Sequence, residues 1–480
     1  MSSDSTSKGI LRPRNILLGL VVIVLLGALY LATSEDAQRA AELRAAELAG
    51  DLATRVVANA TGGDDGQEAH SRNFINIPIE VREVADGVYQ ARGVGNTHLI
   101  ATPEGHVVFD TGLSIQGAKQ RRLLLEAVPD APVTHVILSH SHQDHAGGAP
   151  FWIEEDTKVV AHQEYPEEQR YLKALEDYLH DRNRLLFPFM PEKPPKSGPF
   201  VYGFVEPNVF VDQPNVLRFE QGGVRFEVHP TPGAEGADNL CLWLPDKKVL
   251  LSGDTFGPNF PQFPNVFTMR GEKVRKPVEY IDTLDRLIAL EPEMIVPSHQ
   301  DPIVGKEKIR AGLLKMRDAV RYVHDFTIAG MNAGKTVNEL MSEVELPPEL
   351  ALTEIHGKLS WAVKSIWEYY ATWFHFDSTT ELYPVPRTAV FAELAEIAGN
   401  EKLVAHARAH VEAGRPLHAL HLLEIAIGGD PSDRHALMTR RDALELLLES
   451  ARPLNNGYEL DWLQYRIRAT NEALGEGEAG

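Results

Sequence analysis

The 480-residue chain has a single cysteine, Cys241. One thiol excludes an intrachain disulfide framework and a cysteine-built metal site, and it fits an oxidising compartment as well as a reducing one. Positive charge is also scarce: 47 Lys and Arg stand against 68 Asp and Glu, for a formal net charge of -21. Nonspecific nucleic-acid binding needs a basic surface, so nucleic acid is excluded as a partner, and an anionic ligand would need a local cationic site. The length is too great for one small core and allows two or three domains.

An uncharged apolar run, Ile16 to Ala32, follows Lys8, Arg12 and Arg14. It is long enough to cross a bilayer or nearly so, which predicts a cytoplasmic tail over 1–15, a transmembrane anchor over 16–32 and a periplasmic or extracellular remainder. A cleavable signal peptide is the rival, but Tyr30 falls where a small residue belongs. Asp36 to Arg55 is rich in Ala, Glu and Arg at helical spacing, and Gly-Gly-Asp-Asp-Gly at 62–66 breaks it. The segment 33–76 therefore reads as a stalk helix and linker, with the folded body starting near Ile75.

The densest chemistry is His140-Ser141-His142-Gln143-Asp144-His145, directly after the apolar run Val133 to Leu138. That run reads as a buried strand, so the ligands sit on the loop at its carboxyl end. Imidazole with carboxylate suits zinc or a similar ion. In an extended loop His140 and His142 point to one side and can share an ion, while Asp144 and His145, past the turn, can reach a second. Upstream, short strands alternate with glycine turns, and one ends in Asp110-Thr111-Gly112. Asp110 reads equally well as a partner holding a ligand histidine and as a turn residue. Ala118 to Ala127 reads as a helix, so the region is mixed α/β. Glu164 to Leu186, with the proline-rich 188–199, reads as an insertion over the site. Three more strand-then-loop units bring Glu235 after Thr231-Pro232-Gly233, Asp254 after Gly253, and His299 after Ser298. Asp238 competes with Glu235 as a ligand.

This ordered set resembles the metallo-β-lactamase superfamily over roughly 77–312. The resemblance implies a four-layer αβ/βα sandwich as the catalytic domain. Ala234 stands where that superfamily usually has a histidine, and Glu235 beside it is a feature of the alkyl sulfatase branch, the type III sulfatases. On this likeness one Zn2+ takes His140, His142 and Glu235, a second takes Asp144, His145 and His299, and Asp254 bridges them. Asp144, Asp254 and Arg270, within Met269-Arg270-Gly271, are then the catalytic candidates, with Arg270 gripping sulfate. The loop Phe256 to Phe267 reads either as an alkyl-chain channel or as a packed loop.

Lys315 to Thr327, Glu345-Leu346-Pro347-Pro348, Gly357 to Trp373 and Tyr383-Pro384-Val385-Pro386 extend the likeness, so 313–480 is predicted to be an all-α dimerisation domain. Within it, Gly414 to Pro431 resembles one tetratricopeptide-like hairpin, which must pack on the rest or on a partner. Trp367, Tyr370 and Trp373 are the expected dimer face. The sterol-carrier-like domain that such sulfatases often carry is expected to be absent, since the sequence stops at Gly480. The chain departs from the branch at Asp254-Thr255, where glutamate and asparagine are usual, and at Trp361, in place of a histidine, adding a bulky wall. The implied activity is hydrolysis of an anionic, amphiphilic alkyl sulfate by a homodimer. Another ester class, or a non-catalytic tethered dimer, is the alternative.

Overall fold

Apolar residues in the strands alternate between two cores, and that period of two stacks the mixed part of the chain into layers. The computed structural model describes residues 34–61 and 77–476, apart from 188–189, 195, 197–200, 202–203 and 267–268. After helix α1 (Glu35–Thr61) come β1 (Val81–Ala85), β2 (Val88–Ala91), β3 (Thr97–Thr102), β4 (Gly105–Thr111), α2 (Ser114–Ala127) and β5 (Val133–Ile137). Short α3 (Gln143–Ala146) and α4 (Ala149–Trp152) lead to β6 (Lys158–His162), α5 (Tyr165–Ala174), α6 (Glu176–Leu186) and β7 (Val209–Val211). Then follow β8 (Leu217–Gln221), β9 (Val224–Pro230), β10 (Leu240–Leu244), β11 (Val249–Gly253), α7 (Pro277–Leu290), β12 (Met294–Pro297) and β13 (Ile303–Val304).

Strands β1 to β7 form one sheet in chain order, and the other runs β13-β12-β11-β10-β9-β8. In β4, Val107 and Phe109 join Phe226 and Leu242 between the sheets, whereas Val108 joins Leu124 and Trp152 under α2 and α4. In β10, Leu240, Leu242 and Leu244 face the same central core, while Cys241 and Trp243 pack with Tyr280 and Leu284 of α7. The result is the expected αβ/βα sandwich. Each fully buried Val, Leu or Phe here contributes roughly 1.5–3 kcal/mol of transfer free energy. Strands β4 to β7 run parallel, as do β11 and β12, and the chain carries its polar loops off their carboxyl ends.

The rest is helical: α8 (Lys306–Asn332), α9 (Val337–Glu343), α10 (Leu359–Ala371), α11 (Phe391–Ala398), α12 (Asn400–Glu412), α13 (Pro416–Gly429), α14 (Arg434–Ala451) and α15 (Gly457–Leu474). Residue 312, where the sequence placed a boundary, lies inside α8, whose Ile309, Leu313 and Met316 share one core with α7. The α12–α13 hairpin covers its apolar face on α11 and α14, through Ala407, Ala419, Leu423 and Ala443. Trp367 of the expected dimer face packs inward against the α8 core, leaving Tyr370 and Trp373 exposed.

Two N-terminal expectations are corrected. The helix expected as a stalk is docked: α1 lies along α2, with buried Glu47 paired to Arg122 at 2.8 Å and Asp51 to Lys119 at 2.8 Å. A Cβ on Gly50 would fall 2.0 Å from the Ile115 carbonyl oxygen, so glycine is what permits that approach. The membrane anchor and the compartment inferred from it are not supported. No helix among the described residues is long and apolar enough to cross a membrane, and 16–32 lie outside those residues.

Candidate active site

The carboxyl ends of β4, β5, β11 and β12 converge on one cluster. Asp110 closes β4 with φ 55°, a left-handed conformation that Asp tolerates better than most residues and that recurs at functional sites. Its carboxylate accepts from the Ser139 N–H at 2.8 Å, the Ser139 hydroxyl at 2.9 Å and the Ser298 hydroxyl at 2.5 Å. It also holds His145 Nδ1 at 2.8 Å. Asp110 therefore ties the loops after β5 and β12 together and orients a histidine, which resolves the two readings of its sequence. Gly253 ends β11 at φ +54°, and a Cβ there would lie 2.5 Å from Ser139 Cβ, so glycine lets the two sheets' loops meet.

Around this anchor the histidine nitrogens face inward. His140 Nε2 lies 2.8 Å from His142 Nδ1. His145 Nε2 is 3.3 Å from Asp254 Oδ2, and His299 Nε2 is 3.2 Å from that oxygen and 3.3 Å from Asp144 Oδ2. Among the described residues, His145 Nε2 and Asp254 Oδ1 are buried with no hydrogen-bond partner. Orphaned buried polar atoms are costly, and nitrogens converging with carboxylate oxygens are a donor set that divalent ions satisfy. Among the described residues three groups have ligand atoms mutually within 4.8 Å: His140, His145 and Asp254; Asp144, His145 and His299; and His142, Glu235 and Glu272. The residues present fit metal.

The charges point the same way. Burial opposes charging His145 and His299, yet the facing carboxylates, Asp254 foremost, raise His145 well above the usual range and His299 to about 10. His140 is driven well below its usual value by burial and by its neighbours His145 and His142. Against burial, the facing rings hold Asp144 and Asp254 well below the usual carboxylate range, with His145 leading for Asp144 and His299 for Asp254. Such a cluster binds protons in place of a cation, and a divalent ion would displace them.

The other side of the site carries two arginines, each paired with buried glutamate. Against burial, Arg275, with Nη2 at 2.7 Å, holds the Glu235 carboxyl down to about 2. Arg270 Nη2 is 2.9 Å from Glu272 Oε1 and 3.8 Å from Glu235 Oε2. Arg182 of α6 donates to the Met269 and Arg270 carbonyls at 2.8 and 3.2 Å, so the insertion holds the arginine-bearing turn. From both sides opens a cavity of about 560 Å³, within the usual size of a small-molecule site. Its floor carries His142, Asp144, Asp254, Arg270 and His299, and its walls carry Leu172, Leu179 and Phe187 of the insertion with Ile115 of α2.

The metallo-beta-lactamase superfamily profile matches residues 91–299, and the alkyl sulfatase dimerisation profile matches 336–457. The chain joins a metallo-β-lactamase domain to an alkyl sulfatase dimerisation domain. It is 30% identical over 335 residues to a linear primary-alkylsulfatase of a Pseudomonas species, covering 64% of this chain and 61% of the relative. An (R)-specific secondary-alkylsulfatase of Pseudomonas is 27% identical over 395 residues, covering 76% and 59%. The chain thus spans about three-fifths of the length of these curated relatives. The solved stereoselective inverting sec-alkylsulfatase from Pseudomonas shares the fold, with a TM-score of 0.72 at 23% identity over 89% of this chain and 70% of that one.

In this metallo-β-lactamase domain the seven residues named as ligands from the sequence all fall in these groups, with Arg270 3.8 Å from Glu235; Asp144, His145 and His299 group as expected, whereas His140 groups with His145 and Asp254, and His142 and Glu235 group with Glu272. Asp238 does not join them: its carboxylate accepts from the Ser141 N–H at 2.8 Å, and burial raises it to about 7. Trp361 is not among the cavity-lining residues; Lys358 lies over its ring at 5.4 Å. His356 lines the cavity instead, 3.5 Å from Glu235 Oε1. Phe256 and Phe263 pack into the α7–α8 core, Pro258 and Asn259 of the same loop line the cavity, and Phe267 lies outside the described residues. Sequence reasoning missed Glu272, Arg275, His356 and Tyr458, over whose ring Arg270 sits at 5.9 Å.

Proposed function

We propose that this chain is a binuclear zinc hydrolase of alkyl sulfate esters, releasing sulfate and an alcohol. The observation that supports it best is the cavity itself: apolar walls lead to a floor where Arg270 stands beside the histidine–carboxylate cluster. An alkyl chain suits the walls and a sulfate monoester suits the floor. The relatives named as alkylsulfatases favour the same class. His140, His142 and Glu235 would hold one ion, and Asp144, His145 and His299 the other, with Asp254 between them. When bound, such ions supply Lewis acidity to the ester oxygens and lower the pKa of water toward neutrality. Arg270 presents a planar fork able to grip two sulfate oxygens. Asp110 and Ser139 fix the rings of His145 and His140. Leu172, Leu179 and Phe187 exclude water from the chain-binding wall. The helices from α8 onward would pair two copies, using the exposed aromatic surface at Tyr370 and Trp373.

A second reading, hydrolysis of an uncharged ester such as a thioester or lactone, is favoured by one observation: Glu272 already engages Arg270. Incubating the purified chain with a medium-chain alkyl sulfate, with and without chelator, tests the first. Chelator-sensitive release of inorganic sulfate is expected. Ready cleavage of a thioester of the same chain length, with no sulfate released, would establish the second.

A further inference from the structure

Each histidine of the central motif has one nitrogen toward the cluster and the other on a partner. His140 Nδ1 meets Ser139 Oγ at 2.9 Å, and His145 Nδ1 meets Asp110 Oδ2 at 2.8 Å. His142 is turned the other way: Nδ1 faces His140, and Nε2 lies 3.3 Å from Glu272 Oε1. Glu272 is itself pinned, with Oε1 2.9 Å from Arg270 Nη2 and Oε2 2.8 Å from Arg275 Nη2. Arg275 in turn holds Glu235 at 2.7 Å. A carboxylate fixed by two guanidiniums cannot rotate freely, so the ring resting on it has one orientation and one tautomer.

We propose that Glu272 is the positioning carboxylate of His142, doing for that ring what Asp110 does for His145, and that through Arg275 it also sets the pose of Glu235. This rests on the reading of His142 and Glu235 as ligands of one metal ion. A ligand histidine needs its outer nitrogen held if the inner one is to stay aimed, and loss of such a partner weakens metal binding about 10- to 100-fold. The arrangement couples the two sides of the cavity, because the carboxylate that aims His142 also occupies the inner edge of Arg270.

The test is zinc binding by the full chain, stripped with chelator and titrated with Zn2+ against a chromophoric competitor. Wild type is expected to take two ions. E272A is expected to bind one of them about 10- to 100-fold more weakly and the other unchanged. E272Q, whose amide oxygen still accepts from His142 Nε2–H, is expected to stay within a few-fold of wild type. H142A combined with E272A is expected to weaken that ion by less than the product of the two single effects, because the His142 contact is lost in both and only the hold on Glu235 through Arg275 remains to be removed. If E272A does not fold, as judged by circular dichroism, E272M keeps the volume while removing the acceptor. Wild-type affinity for both ions in E272A or E272M overturns the proposal. Complete loss of one ion in both E272A and E272Q makes Glu272 a direct ligand and overturns it too. A wild type that takes up no zinc removes the metal reading itself, and the inference with it.

Discussion

On the sheet side of the cavity, each cluster residue follows the carboxyl end of a strand: His140 to His145 after β5, Asp254 after β11 and His299 after β12. On the opposite side, Arg270, Glu272 and Arg275 come from irregular chain between β11 and α7, and His356 and Tyr458 arrive from the helical region. The strand side is anchored by backbone ladders and by two carboxylates, Asp110 and Asp238. The other side is held by ion pairs among buried side chains, in which each arginine answers a glutamate. Parallel strands thus deliver a cluster suited to many hydrolyses, while the residues proposed to select the substrate are carried on segments whose placement depends on distant chain.

Removing the ring nearest the centre of the strand side has the largest expected effect. His145 belongs to two of the three candidate ligand groups, so His145→Ala should take hydrolysis below detection and reduce zinc content, with circular dichroism unchanged. An active, zinc-replete variant would show that the strand side is not the reacting side.

The helical region should differ in its response to pH. Asp461 of α15, one turn beyond Tyr458, is buried, and burial raises its carboxyl to about 7. A folded-state pKa raised above the unfolded value means that the folded chain binds the proton more tightly. The stability contributed by this group is then fully present below about pH 4 and is lost as pH rises through about 7. Asp461→Asn should flatten that slope and stabilise the protein at pH 8, by up to about 4 kcal/mol. Asp238 titrates in the same window in both proteins, so the quantity to compare by thermal unfolding is the difference between their slopes. Equal slopes would place Asp461 outside the cooperative unit.

Trp373 is 66% exposed on a helical region matched by a dimerisation profile. Trp373→Glu should weaken self-association by about 2 kcal/mol, roughly 30-fold, measured by sedimentation. Unchanged association would move the interface elsewhere. Leu179→Ala, in the wall of the insertion, should lower the preference for longer alkyl chains by about 1.5 kcal/mol, near tenfold. An unaltered chain-length profile would free that wall from substrate.

How much of this could be read beforehand follows the same division. The strand-side cluster was legible because apolar runs end in ligand-rich loops, a local signal, and the layers were legible through the family resemblance that those loops carry. Glu272 was not, since a glutamate two residues past Arg270 looks like any surface charge until folding buries it against two guanidiniums. The Arg-Gly-Glu-x-x-Arg spacing was the signal available. Trp361, expected as a bulky wall, is not among the cavity-lining residues, whereas His356 is, because a loop of unknown path does not announce which of its residues reaches the cavity. The α1 helix was read for its spacing but not for its partner, although Gly50 in mid-helix marks a close approach. The apolar run at 16–32 lies outside the described residues, among which no helix is long and apolar enough to cross a membrane.

The contrast between the two sides is tested most directly by Arg270→Ala, assayed on an alkyl sulfate and on an uncharged ester of the same chain length. Loss of one directed donor to a developing oxyanion should lower the rate on the sulfate ester by about 10²- to 10³-fold and leave the uncharged ester nearly unchanged. An equal loss on both would contradict the account, making Arg270 a structural counter-ion of Glu272 and not the group that selects sulfate.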